Sequence, residues 1–376
     1  MPSYDIDKYR SFFPFLEQGK RYFNHASTSP LSTPVVAAMQ EYIREKSIGD
    51  LENIEHVFKQ IVELKTRIGF FLNCSKGRIA LLDNTSNGLN ILANGLSWNQ
   101  GDRILIPDVE FPANVNPFLN LKRHGVEVDF LRTVGGAVRA EDVERALTPR
   151  TRLFTLSHVQ FLHGFRADLK TIGQLCRNKN VVFCVDAIQS AGVVPIDVEE
   201  MKIDFLASGG QKWLMSPEGI AFVYVSDECQ SHIQQAYVGW MGIKDFFNDF
   251  FRYRMELERS ARRYEIGTPN IAGIAGFNAS LGLLLEVGIK KIESHLSDLT
   301  HLITERVVAS GFELVSPRGG DQRAGIVTFR PPEAHQMYTR LRSQQIIVSL
   351  RENAIRFSPH FYNSIEDSRS ALKHVH

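Results

Sequence analysis

The chain has 376 residues, of which 43% are hydrophobic and 23% are charged, and its formal net charge is +1. This length allows two lobes with a large core, and the composition is that of an ordinary globular protein. The near-zero net charge gives no reason to expect nucleic acid or an anionic membrane as a partner.

The first ten residues contain acids and no apolar core, so they do not predict a signal peptide. The most apolar long stretch, residues 271–289, is interrupted by Asn278, Glu286 and several glycines, which predicts a packed helix rather than a membrane span. The four cysteines lack the spacing of metal ligands, and in the absence of a secretory signal they predict reduced thiols in a cytoplasmic protein. They are Cys74, Cys176, Cys184 and Cys229.

Residues 1–22 carry several aromatic side chains and little periodicity, which predicts an N-terminal arm that packs on a smaller lobe. After this arm, the spacing of apolar residues predicts two helices and two strands. The helices are expected at residues 35–47 and 53–72, and the strands at residues 79–82 and 102–107. A polar turn, N-T-S-N, follows the first strand and leads into another helix.

The middle of the chain alternates short apolar runs with helical patterns. Strands are predicted at residues 126–131, 153–156, 181–185, 205–207 and 220–225, with helices at residues 142–147 and 172–177. Such alternation predicts an α/β fold in which helices cover both faces of a mostly parallel sheet. From about residue 271 onward, two helices and the strands in G-I-V-T-F-R and I-I-V-S-L predict a smaller α+β lobe.

Two polar residues follow neighbouring strands of the predicted sheet. The run that begins at Val181 ends in Asp186, and the run that begins at Phe205 ends in the segment G-G-Q-K, whose last residue is Lys212. Ligands bind outside the carboxyl ends of the strands in such sheets. The sequence therefore predicts that one carboxylate and one amine lie at the same rim.

Pyridoxal phosphate makes two demands of its protein, which this pair meets. A lysine amine forms a Schiff base with the cofactor aldehyde, and an aspartate holds the pyridine nitrogen protonated. The alternative for each residue alone is structural, with Asp186 capping the next turn and Lys212 lying in a solvated loop. The flanking residues favour the cofactor, because Gln189 is placed to reach a ring oxygen and Trp213 supplies an apolar wall that lowers the amine pKa.

The segments D-A-I-Q-S-A-G and D-F-L-A-S-G-G-Q-K-W-L resemble the cofactor core of class V aminotransferase-fold enzymes, which depend on pyridoxal phosphate. This family includes cysteine desulfurases, selenocysteine lyases, isopenicillin-N-epimerase-like proteins and several transaminases. The resemblance implies fold type I, with a large cofactor-binding domain and a small α+β domain. The expected bounds are 1–22 for the arm, which packs on the small domain, 23–255 for the large domain and 256–376 for the small one.

The resemblance also assigns cofactor contacts. Thr85 and Ser86 match the turn that binds phosphate, although either residue alone is equally an ordinary helix N-cap. Phe111 stands where the family places an aromatic ring, often histidine, that stacks on the cofactor. Gln160 is placed to contact the ring oxygen or the substrate. Gln211 stands near the phosphate, where histidine is common in the family.

The remaining assignments concern the substrate and the partner subunit. In the segment I-R-F-S-P-H-F-Y-N, Arg356 matches the residue that clamps the substrate carboxylate, with nearby Arg351 as the alternative for this role. His25, in N-H-A-S, is either a substrate contact or a histidine that stabilises its loop. The turn G-T-P-N resembles one whose threonine reaches the phosphate of the neighbouring subunit. Thr268 therefore predicts a homodimer with shared sites.

The expected reaction type depends on two residues of the desulfurases, a cysteine and a histidine, that this chain lacks at the matching positions. Desulfurases of the family carry a cysteine just before the arginine motif, and this chain has none between Pro317 and Arg356. Phenylalanine at position 111 cannot shuttle a proton. We therefore expect transamination of an amino acid, with desulfurase or selenocysteine lyase chemistry, elimination and epimerisation as alternatives. A non-catalytic binding module that keeps the fold is the alternative from another class.

Overall fold

The computed structural model describes residues 4–248 and 250–376. Within these ranges the helices are α1 (Ile6–Arg10), α2 (Thr33–Ile48), α3 (Ile54–Leu72), α4 (Thr85–Gly95), α5 (Asn116–Leu119), α6 (Ala140–Ala146), α7 (Leu169–Asn178), α8 (Asp227–His232), α9 (Ile271–Val287), α10 (Ile289–Ala309), α11 (Ala334–Ser343) and α12 (Ile365–Leu372).

The strands of the described chain are β1 (Arg21–Tyr22), β2 (Ile79–Leu82), β3 (Arg103–Pro107), β4 (Glu127–Leu131), β5 (Thr151–Ser157), β6 (Val182–Asp186), β7 (Phe205–Gly209), β8 (Ala221–Val225), β9 (Glu313–Leu314), β10 (Val327–Arg330), β11 (Ile346–Ile347), β12 (Ser349–Arg351) and β13 (Ala354–Phe357).

A seven-stranded sheet forms the centre of the molecule, with the strand order β2-β8-β7-β6-β5-β3-β4. The strands from β7 to β4 pair in parallel, whereas β8 is antiparallel to both of its neighbours. Strand β8 runs antiparallel to β7 because the connecting residues 210–220 contain no helix, and a parallel crossover usually needs one. The predicted mostly parallel α/β sheet is confirmed.

Both faces of this sheet are covered, as the uninterrupted apolar strands require. Ile104 and Ile106 of β3 face a core that includes α4, whereas Leu105 faces the opposite core, which includes side chains of α3, α7 and α9. Neighbouring strand residues therefore point into different cores, as the pleat demands. The helices fix the sheet from both sides and hold the rim where β6 and β7 end.

A smaller antiparallel sheet has the order β12-β13-β10-β9 and packs against α11 and α12. The domain bounds stay a prediction, because α9 lies on the C-terminal side of the predicted boundary while its apolar residues share the core of the large sheet. These residues are Ile274, Phe277, Leu281 and Leu284. The small-lobe core takes its helical side chains from α10, α11 and α12 instead.

The N-terminal arm packs on the segment that precedes α12. Phe13 stacks on Tyr362 with ring centres 3.9 Å apart, and Tyr9 contacts Phe361 edge to face. The Tyr9 hydroxyl also donates a hydrogen bond to Glu286 of α9. After the arm, β1 pairs in parallel with β11, so the arm joins both parts of the fold.

No single helix in the described part of the chain has the length and hydropathy of a membrane span. The helices α9 and α10 reach these values only as a pair, across a bend of 76°. Most of the α9 side chains are buried within the fold.

Candidate active site

The structure brings Asp186 and Lys212 to one rim of the large sheet. Asp186 ends β6 and pairs in register with Ala207 of the parallel strand β7, which ends at Gly209, three positions before Lys212. Burial raises the pKa of Asp186 to about 7, while a hydrogen bond from the Ile188 backbone and the charge of Lys212 oppose that rise. Burial also lowers the pKa of Lys212 to about 8, so the amine loses its proton readily.

Hydrogen bonds from Ser29, near the N-terminus, hold the loop that carries Lys212. The Ser29 hydroxyl donates to the Lys212 carbonyl oxygen at 2.5 Å, and the Ser29 backbone N–H donates to the Gln211 carbonyl oxygen at 3.0 Å. Trp213 is fully buried directly behind the lysine. Above the amine, Lys212 Nζ lies 5.6 Å from the centre of the Phe111 ring. The amine is therefore fixed between an indole layer and an exposed aromatic ring.

Three residues form a cradle beside this loop. Thr85 is the first residue of α4, whose N-cap is Asn84, so the first amides of the helix open toward the cradle. A Cβ placed at Gly209 would lie 3.2 Å from Thr85 Oγ1 and would collide with Gln211 Oε1. Glycine at this position therefore keeps the space between the two side chains open. Ser86 is exposed one position further along the helix.

Side-chain oxygen atoms at this rim are buried without a hydrogen-bond partner among the described residues: Asp186 Oδ2, Thr85 Oγ1 and Gln160 Oε1. Buried polar atoms are normally paired, so a ligand at this rim would supply the missing partners. Asp186 Oδ2 suits a protonated pyridine nitrogen, and Thr85 Oγ1 with the N-terminus of α4 suits a phosphate group. The residues present therefore fit pyridoxal phosphate.

Glu110, which was not predicted from the sequence, is the central hydrogen-bond acceptor beside Asp186. Its carboxylate accepts hydrogen bonds from the Ser157 backbone at 2.7 Å, the Ser157 hydroxyl at 2.6 Å, the Asn114 amide at 3.1 Å and the Gln160 amide at 2.7 Å. Burial raises the pKa of Glu110, and these hydrogen bonds oppose the rise. The signal available in the sequence was an acid placed directly before the stacking position, just after a buried strand.

Glu110 also determines the role of Gln160. Because the Gln160 Nε2 group donates to Glu110, the carbonyl oxygen Oε1 is the group left free. The contact of Gln160 with a ligand stays a prediction, but the free atom is an acceptor. It suits an N–H or O–H donor, and the second N–H of Nε2 is the group that suits a ring oxygen.

Gln189 is fixed by two buried partners. Its Nε2 group donates to the Ala26 carbonyl oxygen at 2.9 Å, and its Oε1 atom accepts from the Trp213 indole N–H at 2.7 Å. The amide therefore braces Trp213 with one of its two N–H groups, and the contact of the other N–H with a ring oxygen stays a prediction. The prediction placed Gln189 by its distance from Asp186 along the chain and could not foresee these two distant partners.

His25 is a structural histidine in this geometry, which contradicts the predicted substrate contact and favours the alternative. The side chain is fully buried, with Nδ1 2.8 Å from the Ser358 carbonyl oxygen and Nε2 2.7 Å from the Tyr362 hydroxyl. Since Nδ1 faces a carbonyl, it donates, and Nε2 accepts from the tyrosine. Burial, with a smaller effect of His360, lowers the pKa of His25 well below its usual value.

Arg356 is buried, with 2% of its surface exposed, and it contacts only neutral acceptors. Nε donates to Ser349 Oγ at 3.1 Å, Nη1 to the Phe161 carbonyl oxygen at 2.5 Å and Nη2 to Ser27 Oγ at 2.8 Å. Burial lowers the pKa of Arg356 to about 10, and Arg351 adds to this effect. Of the five guanidinium N–H groups, one on each terminal nitrogen stays free, which suits a carboxylate.

The structure does not bring Thr268 to Lys212 of the same chain. Thr268 is exposed just before α9 and lines a groove of about 980 Å³ between α2, α3 and α9. Its predicted contact with the phosphate of a partner subunit therefore stays a prediction.

Comparisons with known proteins identify the family of the chain. The family model for class-V aminotransferases matches residues 21–367. A probable cysteine desulfurase of Methanothermobacter thermautotrophicus is 32% identical over 284 residues, which cover 74% of this chain and 70% of the relative. The uncharacterized aminotransferase YcbU of Bacillus subtilis is 28% identical over 369 residues, which cover 98% and 97%.

Solved structures of the protein C-DES have the same fold. A mutant with glycine covalently linked to its pyridoxal phosphate cofactor aligns with a TM-score of 0.89 and 25% identity, over 97% of this chain and 98% of C-DES. Another structure, described as the cystine C–S lyase with its product cysteine persulfide, aligns with a TM-score of 0.87 and 26% identity, over 96% and 98%.

A mostly parallel sheet with a half-buried lysine and a buried aspartate at one rim is typical of fold type I enzymes that depend on pyridoxal phosphate. The chain belongs to the class-V aminotransferase family. The alternative of a non-catalytic binding module is not supported, because the relatives named above are enzymes by name and because Asp186 and Lys212 lie at one rim. The names of the relatives cover different reactions, so the family alone does not determine which reaction this chain catalyses.

Proposed function

We propose that this enzyme transaminates an α-amino acid, with Lys212 as the proton-transfer group. The proposal rests on three side chains that lie together at one rim of the large sheet. The half-buried amine of Lys212 and the unpaired oxygen of Asp186 lie beside a guanidinium, Arg356, that has no acidic partner among the described residues. These groups suffice to bind an amino acid and to move its Cα proton.

Each residue of the site has a defined task. Arg356 binds the α-carboxylate through its two free N–H groups and fixes the orientation of the substrate. Asp186 Oδ2 holds the proton of the pyridine nitrogen. Pyridoxal phosphate, when bound, supplies an aldehyde for the amino group and a ring that accepts electrons from Cα. Lys212 Nζ, with a pKa of about 8, takes the proton from Cα and returns it elsewhere on the substrate–cofactor unit.

The segment before Arg356 argues against persulfide transfer. It holds no cysteine, and β12 and β13 are joined by only Glu352 and Asn353, which leaves no loop that could bring a thiol to the substrate. Among all four cysteines, three are buried and Cys74 is half-buried in another part of the fold. With Phe111 at the stacking position, no imidazole is available there to protonate a leaving sulfur.

The second candidate is β-elimination, which the similarity to C-DES favours, since that protein is described as a C–S lyase. Elimination also begins with an amine that removes the Cα proton, after which the substituent on Cβ leaves with the electrons of its bond. The two reactions differ in the fate of nitrogen. Transamination keeps the amino nitrogen on the cofactor until a keto acid takes it, whereas elimination releases ammonia together with the keto acid.

A single-turnover experiment separates these reactions. The cofactor-loaded enzyme is mixed with each of a panel of amino acids without a keto acid acceptor, and the spectrum, keto acid and ammonia are measured. Transamination predicts one keto acid per site, no ammonia and a lasting spectral change that a keto acid reverses. Continuous ammonia release would establish elimination instead. Lys212→Ala serves as the inactive control.

We also infer a homodimer whose sites are shared between the subunits. The groove between α2, α3 and α9 contains Thr268 and lies beside exposed apolar side chains. Four apolar residues that line it, Leu51, Ile54, Trp240 and Phe247, are 49%, 53%, 47% and 44% exposed, which is unusual for a surface that stays in water. A second copy of this chain on the groove would cover them and would carry Thr268 toward the cradle of its partner by two-fold symmetry.

Mixing two inactive variants tests the shared sites. In a heterodimer of Lys212→Ala and Thr268→Arg, one site collects both defects and the other collects neither, so part of the activity should return. Absence of recovery despite verified subunit exchange would show that Thr268 serves its own chain or no site at all. The cytoplasmic location expected from the free thiols stays a prediction.

A further inference from the structure

A tight hairpin ends beside the substrate arginine. Ser349 of β12 pairs with Arg356 of β13, and Arg351 pairs with Ala354, so that only two residues connect the strands. Both connecting residues have left-handed backbones, with φ of 47° at Glu352 and 57° at Asn353. This is the geometry of a two-residue type I′ turn, which matches the twist of the strands. Arg351 is therefore held at a fixed position by the sheet.

The hairpin places Arg351 on the same face as the guanidinium of Arg356. Ser349 and Arg351 are two positions apart in an extended strand, so their side chains leave the same face of the sheet. That face is the one where the Ser349 hydroxyl accepts the hydrogen bond from Arg356 Nε. Leu350, between them, points to the other face and packs on the core of the small lobe.

Arg351 is exposed, and its guanidinium has no ion pair with an acid within the described ranges. Its positive charge also lowers the pKa of two buried groups, after the larger effect of burial in each case. These groups are Lys212 and Arg356. A third cation therefore faces the site from the solvent side without an anion of its own.

An amino acid with an uncharged side chain carries no anion that would pair with the Arg351 guanidinium. The α-carboxylate is matched by Arg356, and the cofactor phosphate by the cradle of Thr85, Gly209 and Gln211. Between the two positions, the Phe111 and Phe161 rings meet edge to face with centres 5.3 Å apart. Phe161 also accepts the hydrogen bond from Arg356 through its carbonyl oxygen, so the ring pair borders the carboxylate position.

We propose that Arg351 binds a second anionic group, carried on the side chain of the amino acid substrate, whose methylene groups pack on the Phe111–Phe161 ring pair. The inference rests on the proposed function and specifies its substrate class. That class comprises amino acids with a side-chain carboxylate, sulfinate or similar anion. Arg351 acts as a specificity residue, and it takes no part in the proton transfer.

Pairs of nearly isosteric amino acids test the proposal. Aspartate is compared with asparagine, and glutamate with glutamine, by kcat/KM and by the spectral dissociation constant of the cofactor-loaded enzyme. The acidic member of at least one pair should be favoured by about 10- to 100-fold, the value of a charge-assisted hydrogen bond. In Arg351→Gln this preference should disappear, while the values for the amides change by less than about threefold.

The matched control is Arg369→Gln, which removes an exposed arginine on α12 and should keep the full preference. An equal loss for acidic and neutral substrates in Arg351→Gln would show that Arg351 binds the α-carboxylate, and the proposal would be wrong. A preference for the amides in the wild-type enzyme would also overturn it.

Unreactive dicarboxylates provide a readout that does not depend on catalysis. Succinate and glutarate should raise the melting temperature of the wild-type protein more than butyrate does, and Arg351→Gln should abolish that difference. If no amino acid reacts, the proposed function fails, but the dicarboxylates still decide whether Arg351 reads a second anion. Equal stabilisation by dicarboxylates and butyrate in the wild-type protein would reject the second-anion site.

Discussion

Two buried polar clusters lie on either side of the Trp213 layer, and they differ in how completely their atoms are paired. In the cluster of His25, Tyr362 and His360, His25 uses both ring nitrogens and His360 Nε2 donates to the Trp213 carbonyl oxygen. In the cluster at the sheet rim, Asp186 and Thr85 each keep an oxygen without a partner in the described chain. Both clusters are equally inaccessible to water.

This difference separates residues that hold the fold from residues that await a ligand. Leaving a buried polar atom unpaired costs about 1–3 kcal/mol, a cost that a ligand bound at the rim would recover. Residue type and burial do not make the distinction, since histidine and aspartate are both common catalytic groups. Substitutions in the paired cluster should therefore affect stability, and substitutions in the unpaired cluster should affect activity.

The largest expected effect is that of Lys212→Ala. Loss of this amine should lower turnover by about 1000-fold or more and abolish covalent attachment of the cofactor. Mass spectrometry after borohydride reduction should find the cofactor on the Lys212 peptide of the wild-type enzyme. Lys170→Ala, at an exposed position of α7, is the control that should keep both properties. A label on another lysine would show that the site is misassigned.

Asp186→Asn should lower turnover by about 100-fold, because an amide does not hold the pyridine nitrogen protonated. The fold should persist and the cofactor should stay bound, since the phosphate cradle and Lys212 are unchanged. Steady-state kinetics and the cofactor spectrum check this result. Unchanged turnover in a variant that binds the cofactor normally would show that Asp186 is not the partner of the ring nitrogen.

In the cluster of His25, Tyr362 and His360, the substitution Tyr362→Phe should lower the stability of the protein. The variant leaves His25 Nε2 buried without its donor, which should lower the free energy of unfolding by about 1–3 kcal/mol. Activity should stay within about threefold of the wild-type value below the melting temperature. Urea unfolding and kinetics measured side by side decide the outcome, with Tyr253→Phe at a 90% exposed position as the control. A stable but inactive Tyr362→Phe protein would contradict the distinction.

The paired cluster also predicts how stability depends on pH. Burial lowers the pKa of His360 to about 4, below its value in the unfolded chain, which is about 6.5. The unfolded state therefore binds more protons between these two values, so stability falls as the pH falls through this window, by up to about 1.4 kcal/mol per pH unit for each such histidine. Urea midpoints at pH 7 and 5 measure the effect, and it should be smaller in His360→Asn.

The smallest effect on activity is expected from the cysteines. Burial raises the pKa of Cys176 and of Cys184 to about 12, so neither thiol forms a nucleophile at neutral pH. Replacing all four cysteines with serine should leave the reaction within about threefold of the wild-type rate, with some loss of stability at the buried positions. Sulfide or alanine produced from L-cysteine only while one of these thiols is present would restore the desulfurase interpretation.

The sequence was sufficient for features that depend on local order along the chain. The strands ending at Asp186 and Gly209 were predictable from apolar runs, and parallel pairing then required Asp186 and Lys212 to share a rim. The partners of His25 and Gln189 were not predictable, because they come from distant parts of the chain. Glu110 was missed because nothing in a single sequence shows that four donors converge on one acid.

The hydrogen bond between His25 and Ser358 joins residues that are 333 positions apart, and β1 pairs with β11 across a similar span. These contacts anchor the segment whose Ser27 and Ser29 hold Arg356 and the Lys212 loop. During synthesis, the strands of the large sheet leave the ribosome long before β11 and β13 exist. We therefore expect the nascent chain to acquire a substrate-competent site only when translation is nearly complete, so that a stalled or truncated chain carries the lysine without the ability to use it.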